Sequence, residues 1–569
     1  MFAPLAQGSI RPWSERGFFM LFSSFFGLHA LPYRIFVMSN QLVNVVLVVL
    51  VARKLTRSEL AGFLAPVFWM ANASLATPMT WTSAYNEVQF ATFLLLSFYL
   101  FLRYTETGQR KFYWPQWITF VLGFGALEIN AVYPAIAALY ALIFARRYLM
   151  STLPMFAVSG AYALVHRIAA GSQQDFYYDM DFHVRALVKV FNQYWNILLG
   201  IPAFVHLHGL ARWWSVSGVF LLTAAILGFV AWQAWQRQFL PLFLLGWFLI
   251  ILSPLIPLHN HVTDYYVCVP AIGIAMLAAY AMSLAWQRGW APTVLAAALA
   301  LLYLIPSARM SRQAQSYNFE QSRNVRSLIQ SVAYAKRIHA GKTILLKDVD
   351  SDLFYSAIYD SPFHIFGWND VFVVPEARAH ITEDPHMGPA DVYFLPESAV
   401  AEALNLGSAE VYAIENRRLR NVTRAYTAMI SARPAPQLPS AVDVGTAYFK
   451  DELGEGWFNL ENGFRWSGKH AVIYMRGPAS SGQKLYVHGF ATEPQLALGP
   501  LHFSLAAGGH EEPAQVIDRT NSEFRFQYNL PDDLVGQPRI EIAFTLDRAL
   551  HLPTDVRELG LMFGDFTIR

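Results

Sequence analysis

The sequence predicts a polytopic α-helical membrane domain of about ten helices, followed by a small α/β unit and a C-terminal β-sandwich. Two observations predict this order. Only 22 of the 272 residues from 35 to 306 are Asp, Glu, Lys or Arg, whereas soluble domains carry roughly one quarter. From 307 to 569, 56 of 263 residues are charged, and short alternating runs replace the long apolar ones. This composition excludes a purely soluble protein.

Residues 35–306 contain the predicted crossing helices, because a helix needs about 20 mostly apolar residues to cross the hydrocarbon. Residues 1–34 predict an outer amphipathic loop segment. The segment 191–207 carries three amide side chains and is interpreted as a helix lying in the membrane interface rather than as an eleventh crossing. The ten candidate spans are 35–52, 59–76, 88–102, 117–130, 131–144, 154–169, 216–235, 240–257, 267–286 and 292–306.

Basic residues in the short loops orient these spans, because such residues stay on the cytoplasmic side. Ten crossings then place both termini, and with them the C-terminal region, on the outer face of the membrane. The lipid bilayer is thus the first expected partner. The loops on the predicted cytoplasmic side contain Arg53, Lys54, Arg57, Arg103, Arg110, Lys111, Arg146, Arg147, Arg237 and Arg288.

The C-terminal half predicts three successive parts. Residues 307–340 indicate a helical connector, and residues 341–433 indicate a small periplasmic α/β unit. Its predicted elements are buried strands at 343–349, 371–374 and 392–395 and a helix at 398–406. A proline-rich linker follows, and residues 441–569 predict a periplasmic β-sandwich from alternating runs separated by turn residues. Those alternating runs are 471–475, 485–488, 501–505, 524–528, 540–546 and 561–568.

Polar side chains near the ends of the spans are the first candidates for function, because such groups are costly at membrane depth. Glu87, next to Asn86 at the outer mouth of a span, could act as a general base, bind a metal or hold a polar substrate. The alternative is an interfacial acid exposed to water. Glu128 lies near the outer end of another span, where a structural role at a helix terminus competes with substrate binding.

The outer loop 259–266 is the densest polar cluster between spans. His259, His261 and Asp264, with Tyr265 beside them, could contact a substrate or lipid phosphate. A divalent metal is possible, although two histidines at i and i+2 are a weak metal signal; no cofactor is certain. The sequence lacks a phosphate-binding P-loop, HExxH and GxSxG, and no basic block indicates a nucleic-acid partner.

Four segments across residues 9–306 match the elements of a known family. They are Arg11-Pro12 with residues 26–34 (ending at Arg34) and 40–44, Tyr85-Asn86-Glu87, Leu127-Glu128 ahead of Tyr133-Pro134, and Asp264-Tyr265-Tyr266. On these segments the N-terminal half resembles the GT-C glycosyltransferases, above all the protein O-mannosyltransferase-like bacterial membrane proteins. The resemblance implies a location in the bacterial inner membrane with a periplasmic C-terminal region.

The resemblance implies an enzyme that takes a sugar from a polyprenyl-phosphate carrier and transfers it to a glycan or protein acceptor on the outer face. It also implies that basic or histidine side chains hold the carrier phosphate. By this resemblance Arg11, Arg34, Asn86 and Glu128 join the residues of the 259–266 loop as substrate-binding candidates, with Glu87 the candidate catalytic base.

This sequence departs from the pattern of the family at one point. The family's catalytic acid follows a first transmembrane helix, and Arg11-Pro12 comes too early here for a preceding span. Either the natural start lies upstream of Met1, which is the expectation favoured here, or the protein lacks the family's usual base. Glu15 is the single acid of the first loop but lies on the wrong side of Arg11-Pro12, so it is not assigned as the base.

The C-terminal region resembles carbohydrate-binding-module-like jelly rolls, on Gly456-Trp457-Phe458 and Arg465-Trp466. The resemblance implies glycan contact by Trp457 and Trp466, and core packing is the alternative for both.

Two further functions compete with a transferase. A degenerate, non-catalytic relative could bind or scaffold envelope glycan, whereas a transporter would need polar residues at mid-depth and is disfavoured.

Overall fold

The computed structural model describes residues 10–170, 176–201, 209–384, 390–415, 417–432, 438–446, 448–449, 452–461, 464–551 and 557–569. The chain divides into two compact units, Met1–Glu320 and Gln321–Arg569. The first unit is helical and the second contains several β-sheets. The predicted order of a helical region and then a β-rich region is confirmed at this level.

Thirteen α-helices begin in the first unit's part of the described chain. A π-helical segment, Pro12–Gly17, precedes them, and short 3₁₀ turns at Glu128–Val132 and Asp264–Val267 connect others. The helices are α1 (Phe18–Phe26), α2 (Ala30–Thr56), α3 (Glu59–Ala71), α4 (Ala76–Thr80), α5 (Tyr85–Thr107), α6 (Arg110–Gly123), α7 (Tyr133–Phe144), α8 (Leu153–Ala170), α9 (Val184–Leu198), α10 (Gly209–Trp235), α11 (Leu240–Leu252), α12 (Ala271–Gln287) and α13 (Trp290–Ile338).

Five helical segments among the described residues are long and apolar enough to cross a membrane, and a sixth is added if α3 and α4 count as one bent span. The predicted number of about ten is therefore higher than length and composition support. The predicted spans 117–130 and 131–144 show why. They correspond to α6 and α7, helices of 14 and 12 residues, and the chain turns sharply between them.

The predicted span 59–76 is bent by 68° between α3 and α4. Asn72 lies at the bend and is fully buried. Its side-chain oxygen accepts a hydrogen bond from the Ser74 amide at 3.0 Å, and its amide nitrogen donates to the Leu198 carbonyl and the Tyr303 hydroxyl at 2.8 and 2.9 Å. A side chain that satisfies the freed backbone in this way stabilises a break inside an apolar segment.

Two predicted boundaries differ from the structure. The last predicted span was expected to end at Pro306, but α13 continues through this proline to Ile338. A proline removes one helical hydrogen bond and produces a kink, and long flanking helical turns can tolerate that cost.

The predicted outer loop at 1–34 is also largely helical from Pro12 onward. The interfacial segment 191–207 overlaps α9, a strongly amphipathic helix, with residues 202–208 outside the described part.

The second unit opens with a four-stranded sheet. Its strands are β1 (Thr343–Lys347), β2 (Val371–Val373), β3 (Ala409–Glu415) and β4 (Arg418–Asn421), with helices α14 (Ser351–Ala357), α15 (Glu397–Asn405) and α16 (Thr423–Ser431) around them. The strand order is β2-β1-β3-β4, in which the first three strands run parallel and β4 is antiparallel. The predicted strand 392–395 is instead a short 3₁₀ turn, Ala390–Tyr393, with one isolated bridge to β2.

Two antiparallel sheets follow. One has the order β11-β10-β14-β8 with β12 beside β10, and the other β13-β9-β17-β7-β6 with β5 beside β17. The strands are β5 (Ala441–Asp443), β6 (Trp457–Glu461), β7 (Phe464–Ser467), β8 (His470–Met475), β9 (Lys484–Phe490), β10 (Leu501–Ala507), β11 (His510–Glu511), β12 (Gln515–Ile517), β13 (Glu523–Asn529), β14 (Ile540–Leu546), β15 (Leu550–His551), β16 (Glu558–Leu559) and β17 (Met562–Ile568), with the short helix α17 (Glu493–Leu496) between β9 and β10.

The inner faces of these two sheets form one aromatic core. Phe503 and Phe544 of one sheet contact Phe524 and Phe563 of the other, with ring centroids 6.1 Å apart for Phe503–Phe524 and 4.6 Å for Phe544–Phe563. Alternate residues of β10 are buried, as expected of a strand with one face on a core. The arrangement is a β-sandwich.

Candidate functional site

The chain just before α1 packs against the turn that precedes Glu128. The Trp13 amide donates to the Gly125 carbonyl at 2.9 Å, and the Ser14 hydroxyl donates to the Ala126 carbonyl at 2.7 Å. A side chain at Gly125 would collide with the Trp13 ring, so glycine is required there for this close approach. The contact places the first described residues beside the start of the Glu128–Val132 turn.

Arg11 is the centre of a charge network at this contact. Its Nε and Nη2 donate to the two carboxylate oxygens of Glu128 at 2.9 and 2.6 Å, and its Nη1 donates to Glu15 at 2.6 Å. The Arg11 side chain is only 11% exposed. A guanidinium engaged in this bidentate way holds its partner in a fixed geometry.

Glu87 lies in the first turn of α5 and is buried, with 2% of its surface exposed. Its Oε1 atom has no hydrogen-bond partner. The charges of Arg11 and Glu128 act on it, and the side-chain oxygen of Asn86 accepts a hydrogen bond from the Glu87 amide at 2.9 Å. A buried carboxylate oxygen without a partner is energetically costly, and such groups are concentrated at functional sites.

The 259–266 loop lies against other aromatic and polar side chains of the same unit. The His261 ring contacts Tyr178 and Tyr266, with centroids 5.1 and 5.6 Å apart. The Asp264 carboxylate accepts a hydrogen bond from the Thr77 hydroxyl at 3.3 Å. Burial raises the pKa of Asp264, and the Tyr265 amide and the Thr77 hydroxyl oppose that shift. The loop is therefore held by packing on both sides.

A group of tyrosines links this loop to Glu87. The charge of Glu87 acts on Tyr265, Tyr266 and Tyr194, and burial raises the pKa of Tyr265 to about 12. These phenols therefore stay protonated at neutral pH and can donate hydrogen bonds to an anion. Sequence reasoning missed Tyr194 of α9, because its role depends on how α9 packs rather than on any local pattern.

The structure brings Arg11, Asn86, Glu87, Glu128 and Tyr265 into one electrostatic network. Two other predicted residues differ from these. Arg34 is the fifth residue of α2, is partly exposed, and makes no hydrogen bond or ion pair with the described residues. The Nδ1 atom of His259 is buried without a hydrogen-bond partner.

Arg11 and Glu128, both predicted as substrate-binding candidates, are paired with each other. Three of the five N–H donors of the Arg11 guanidinium, one on each nitrogen, are engaged by Glu15 and Glu128, so the positive charge is already balanced within the protein. A carrier phosphate would therefore compete with two carboxylates for this cation. Glu15, which the sequence left without a role, is part of this pairing.

The described residues contain no group of three or more His, Cys, Asp or Glu side chains that could hold a metal ion. The possible divalent site at His259, His261 and Asp264 is therefore not formed in this geometry. The His259, His261 and Asp264 side chains can supply hydrogen bonds and transfer protons.

The two tryptophans predicted to contact glycan lie in apolar surroundings of the β-sandwich. Trp466 is 8% exposed and packs with Leu550 and Leu559. Trp457 is half-buried and packs its ring against Phe544 and Phe563 at centroid distances of 5.7 Å, and its Nε1 donates to a backbone carbonyl at 2.7 Å. These contacts favour core packing, the alternative stated for both residues.

The fold and the site together define a coarse class: a protein with a helical unit of membrane-length apolar helices, a buried charge network, and a β-rich second unit. No protein family model and no curated protein sequence matches the chain. Among solved structures, the chain is similar to the cryo-EM structure of arabinosyltransferase EmbB from Mycobacterium smegmatis, with 13% identity and a TM-score of 0.24. The match covers 100% of this chain and 59% of that one. A TM-score this low carries no argument about function.

Proposed function

We propose that this chain is an inner-membrane glycosyltransferase that transfers a sugar from a polyprenyl-phosphate carrier to a glycan or protein acceptor on the outer face. The observation that carries the proposal is Glu87: a buried carboxylate with an unpartnered oxygen, beside the Arg11–Glu128 pair and in the first turn of a membrane-length helix. A protein retains such a group at a cost in stability when function requires it.

In the proposed reaction an acceptor hydroxyl attacks the anomeric carbon of the carrier-linked sugar. The bond between that carbon and the phosphate oxygen breaks, and the polyprenyl phosphate leaves. Glu87 accepts the proton of the attacking hydroxyl through its Oε1 atom, which has no competing hydrogen bond. Proton removal by a positioned side chain contributes about 10²- to 10⁴-fold to such a rate.

Stabilisation of the leaving phosphate falls to groups that are not already neutralised. Arg34 and His259 fit this role better than Arg11, because neither is engaged in an ion pair with the described residues. The phenol of Tyr265 adds a hydrogen-bond donor near Glu87. Hydrophobic contact with the carrier chain would supply most of the affinity, so that few polar groups are needed.

The test is turnover of the purified full-length protein with a panel of radiolabelled polyprenyl-phosphate hexoses and pentoses in lipid vesicles. Release of sugar to water, or transfer to added envelope glycan, is the readout. We expect turnover of at least one donor by the wild type and a loss of about 10²- to 10⁴-fold in Glu87→Gln.

The matched control is Glu59→Gln, which removes an exposed carboxylate at the start of another helix of the same unit. This variant should keep full turnover. No turnover of any donor by the wild type would contradict the proposal.

The competing function is a non-catalytic protein that binds or scaffolds envelope glycan. The pairing of the Arg11 guanidinium with the carboxylates of Glu15 and Glu128 favours this competing function, because a charge network closed within the protein suits a structural role. Under that function the wild type binds envelope glycan in a pull-down but turns over no donor, and Glu87→Gln leaves glycan binding unchanged.

A further inference from the structure

A mostly apolar groove of about 400 Å³ runs between α10, α12 and α13 of the helical unit. Small side chains open it. Seven alanines of α12 and α13 line it from one end to the other, where leucine or phenylalanine would close the gap. These alanines are Ala271, Ala275, Ala278, Ala281, Ala285, Ala296 and Ala300. The groove follows α12 from Ala271 to Arg288, a rise of about 25 Å at 1.5 Å per residue.

Arg288 is the single charged residue among those that line the groove. It lies at the C-terminal end of α12, where its guanidinium stacks on the ring of Trp232 at 4.4 Å. It has no carboxylate partner among the described residues. The cation is therefore exposed at the mouth of an apolar groove and remains able to bind an anion.

Exposed tryptophans mark the same end of the helices. Trp235 closes α10, Trp286 lies near the end of α12 and Trp290 begins α13, with 85%, 67% and 81% of their surfaces exposed. Tryptophan is enriched at the level of lipid headgroups. Arg288 thus lies at the depth where phospholipid phosphates are found.

We propose that this groove binds an anionic glycerophospholipid, with one acyl chain between the three helices and the phosphate at Arg288. The inference rests on the membrane location in the proposed function and is independent of sugar transfer. The carrier of the proposed donor is a poorer occupant. The charge of Glu87 acts on Tyr266, which lies just before the N-terminal end of α12, whereas Arg288 lies at its C-terminal end. The phosphate of one carrier molecule therefore cannot lie beside Glu87 and beside Arg288 at the same time.

The experiment is native mass spectrometry of the purified full-length protein in detergent. Phosphatidylglycerol and phosphatidylcholine with identical acyl chains are added in turn. We expect phosphatidylglycerol to bind about fivefold more tightly, as one arginine at a headgroup supplies about that factor. Arg288→Gln should abolish the preference, and Arg288→Lys should retain it. Arg237→Gln, which removes an exposed arginine that does not line the groove, should also retain it.

A second pair of variants tests the acyl-chain position. Ala296→Phe places a ring in the groove, whereas Ala298→Phe places the same ring on an exposed position of the same helix outside it. Only the first should lose lipid binding. The proposal is overturned if Arg288→Gln keeps the preference, if both phenylalanine variants bind equally, or if undecaprenyl phosphate displaces phosphatidylglycerol completely. None of these outcomes depends on sugar turnover.

Discussion

Two buried charged side chains, one in the β-sandwich and one in the helical unit, differ in how many of their hydrogen bonds are made. In the sandwich, Arg465 is 8% exposed and its three guanidinium nitrogens donate to the carbonyls of Val444, Phe458 and Thr446 at 3.0 to 3.2 Å. In the helical unit, Glu87 is 2% exposed and one of its oxygens has no partner.

This difference in hydrogen bonding distinguishes a side chain with a structural role from one with a functional role. A buried polar group with all its hydrogen bonds made stabilises one conformation, and its removal weakens the fold. A buried group with an unmade hydrogen bond costs stability, and retaining it indicates a role with a substrate. We therefore assign Arg465 to structure and Glu87 to function, and each prediction below tests that division.

The largest effect is expected for Glu87→Gln. Sugar transfer should fall by about 10²- to 10⁴-fold, because the amide has the same shape but cannot accept the acceptor proton. The readout is initial turnover at saturating donor, with protein abundance measured in the same membranes. Loss of turnover that only follows loss of abundance would remove Glu87 from the site.

Trp457→Ala is expected to destabilise the sandwich by about 3–5 kcal/mol, the cost of removing a large aromatic side chain from a core. Its ring contacts Phe544, Phe563 and Phe566. Protease sensitivity of the region after residue 440, followed in urea, measures the effect. Glycan binding per folded molecule should not change, and a variant of full stability that fails to bind glycan would restore Trp457 as a ligand contact.

Arg11→Met is expected to lower the stability of the helical unit by about 2–4 kcal/mol, because Glu15 and Glu128 would lose the cation that neutralises them. The apparent melting temperature in detergent is the readout. The double variant Arg11→Met with Glu128→Gln should recover part of the loss. If Arg11→Met lowers donor affinity at unchanged stability, Arg11 binds the carrier phosphate after all.

The smallest expected effect is a pH dependence of the free energy of unfolding of the β-sandwich. Burial, with a contribution from the neighbouring carboxylate of Asp565, raises the pKa of Asp443 to about 7. The folded state therefore holds a proton between about pH 4 and 7 that the unfolded state has lost, and stability falls as the pH rises through this window.

His488 acts in the same direction. Its hydrogen bond to Asp565 raises the pKa of the imidazole, so its contribution is present at low pH and is lost as the pH rises past the folded value. We expect a total loss of about 1–2 kcal/mol between pH 5.5 and 8, measured by urea unfolding of the full chain. Asp443→Asn should flatten the profile, and an unchanged slope in that variant would contradict this assignment.

The sequence predicts the architecture better than the site. Hydrophobic alternation located β14 from end to end and most of the other long strands, because one face of each strand packs on the core. The strand β5 was missed because it has only three residues, and β6 and β7 were missed because their burial patterns do not alternate. The break at Asn72 was missed because its cause is a set of contacts with residues 126 and 231 positions away.

Prediction of the candidate site from the sequence is limited in the same way. Glu87 was selected because an acid at the mouth of an apolar span is unusual, and that local signal is visible in the sequence. The pairing of Arg11 with Glu128, separated by 117 positions, depends on packing of the N-terminal segment against the Gly125 turn. No spacing rule contains that information, so Arg11 was assigned to the carrier phosphate.

The measurement that tests the division between structural and functional burial most directly is the apparent melting temperature of Glu87→Gln in detergent, beside that of Arg465→Met. Glu87→Gln should melt at or above the wild-type temperature while losing turnover, because a neutral amide is less costly to bury than a carboxylate. Arg465→Met should melt lower, because three backbone carbonyls lose their donor. A Glu87→Gln variant that melts as far below the wild type as Arg465→Met would contradict the account.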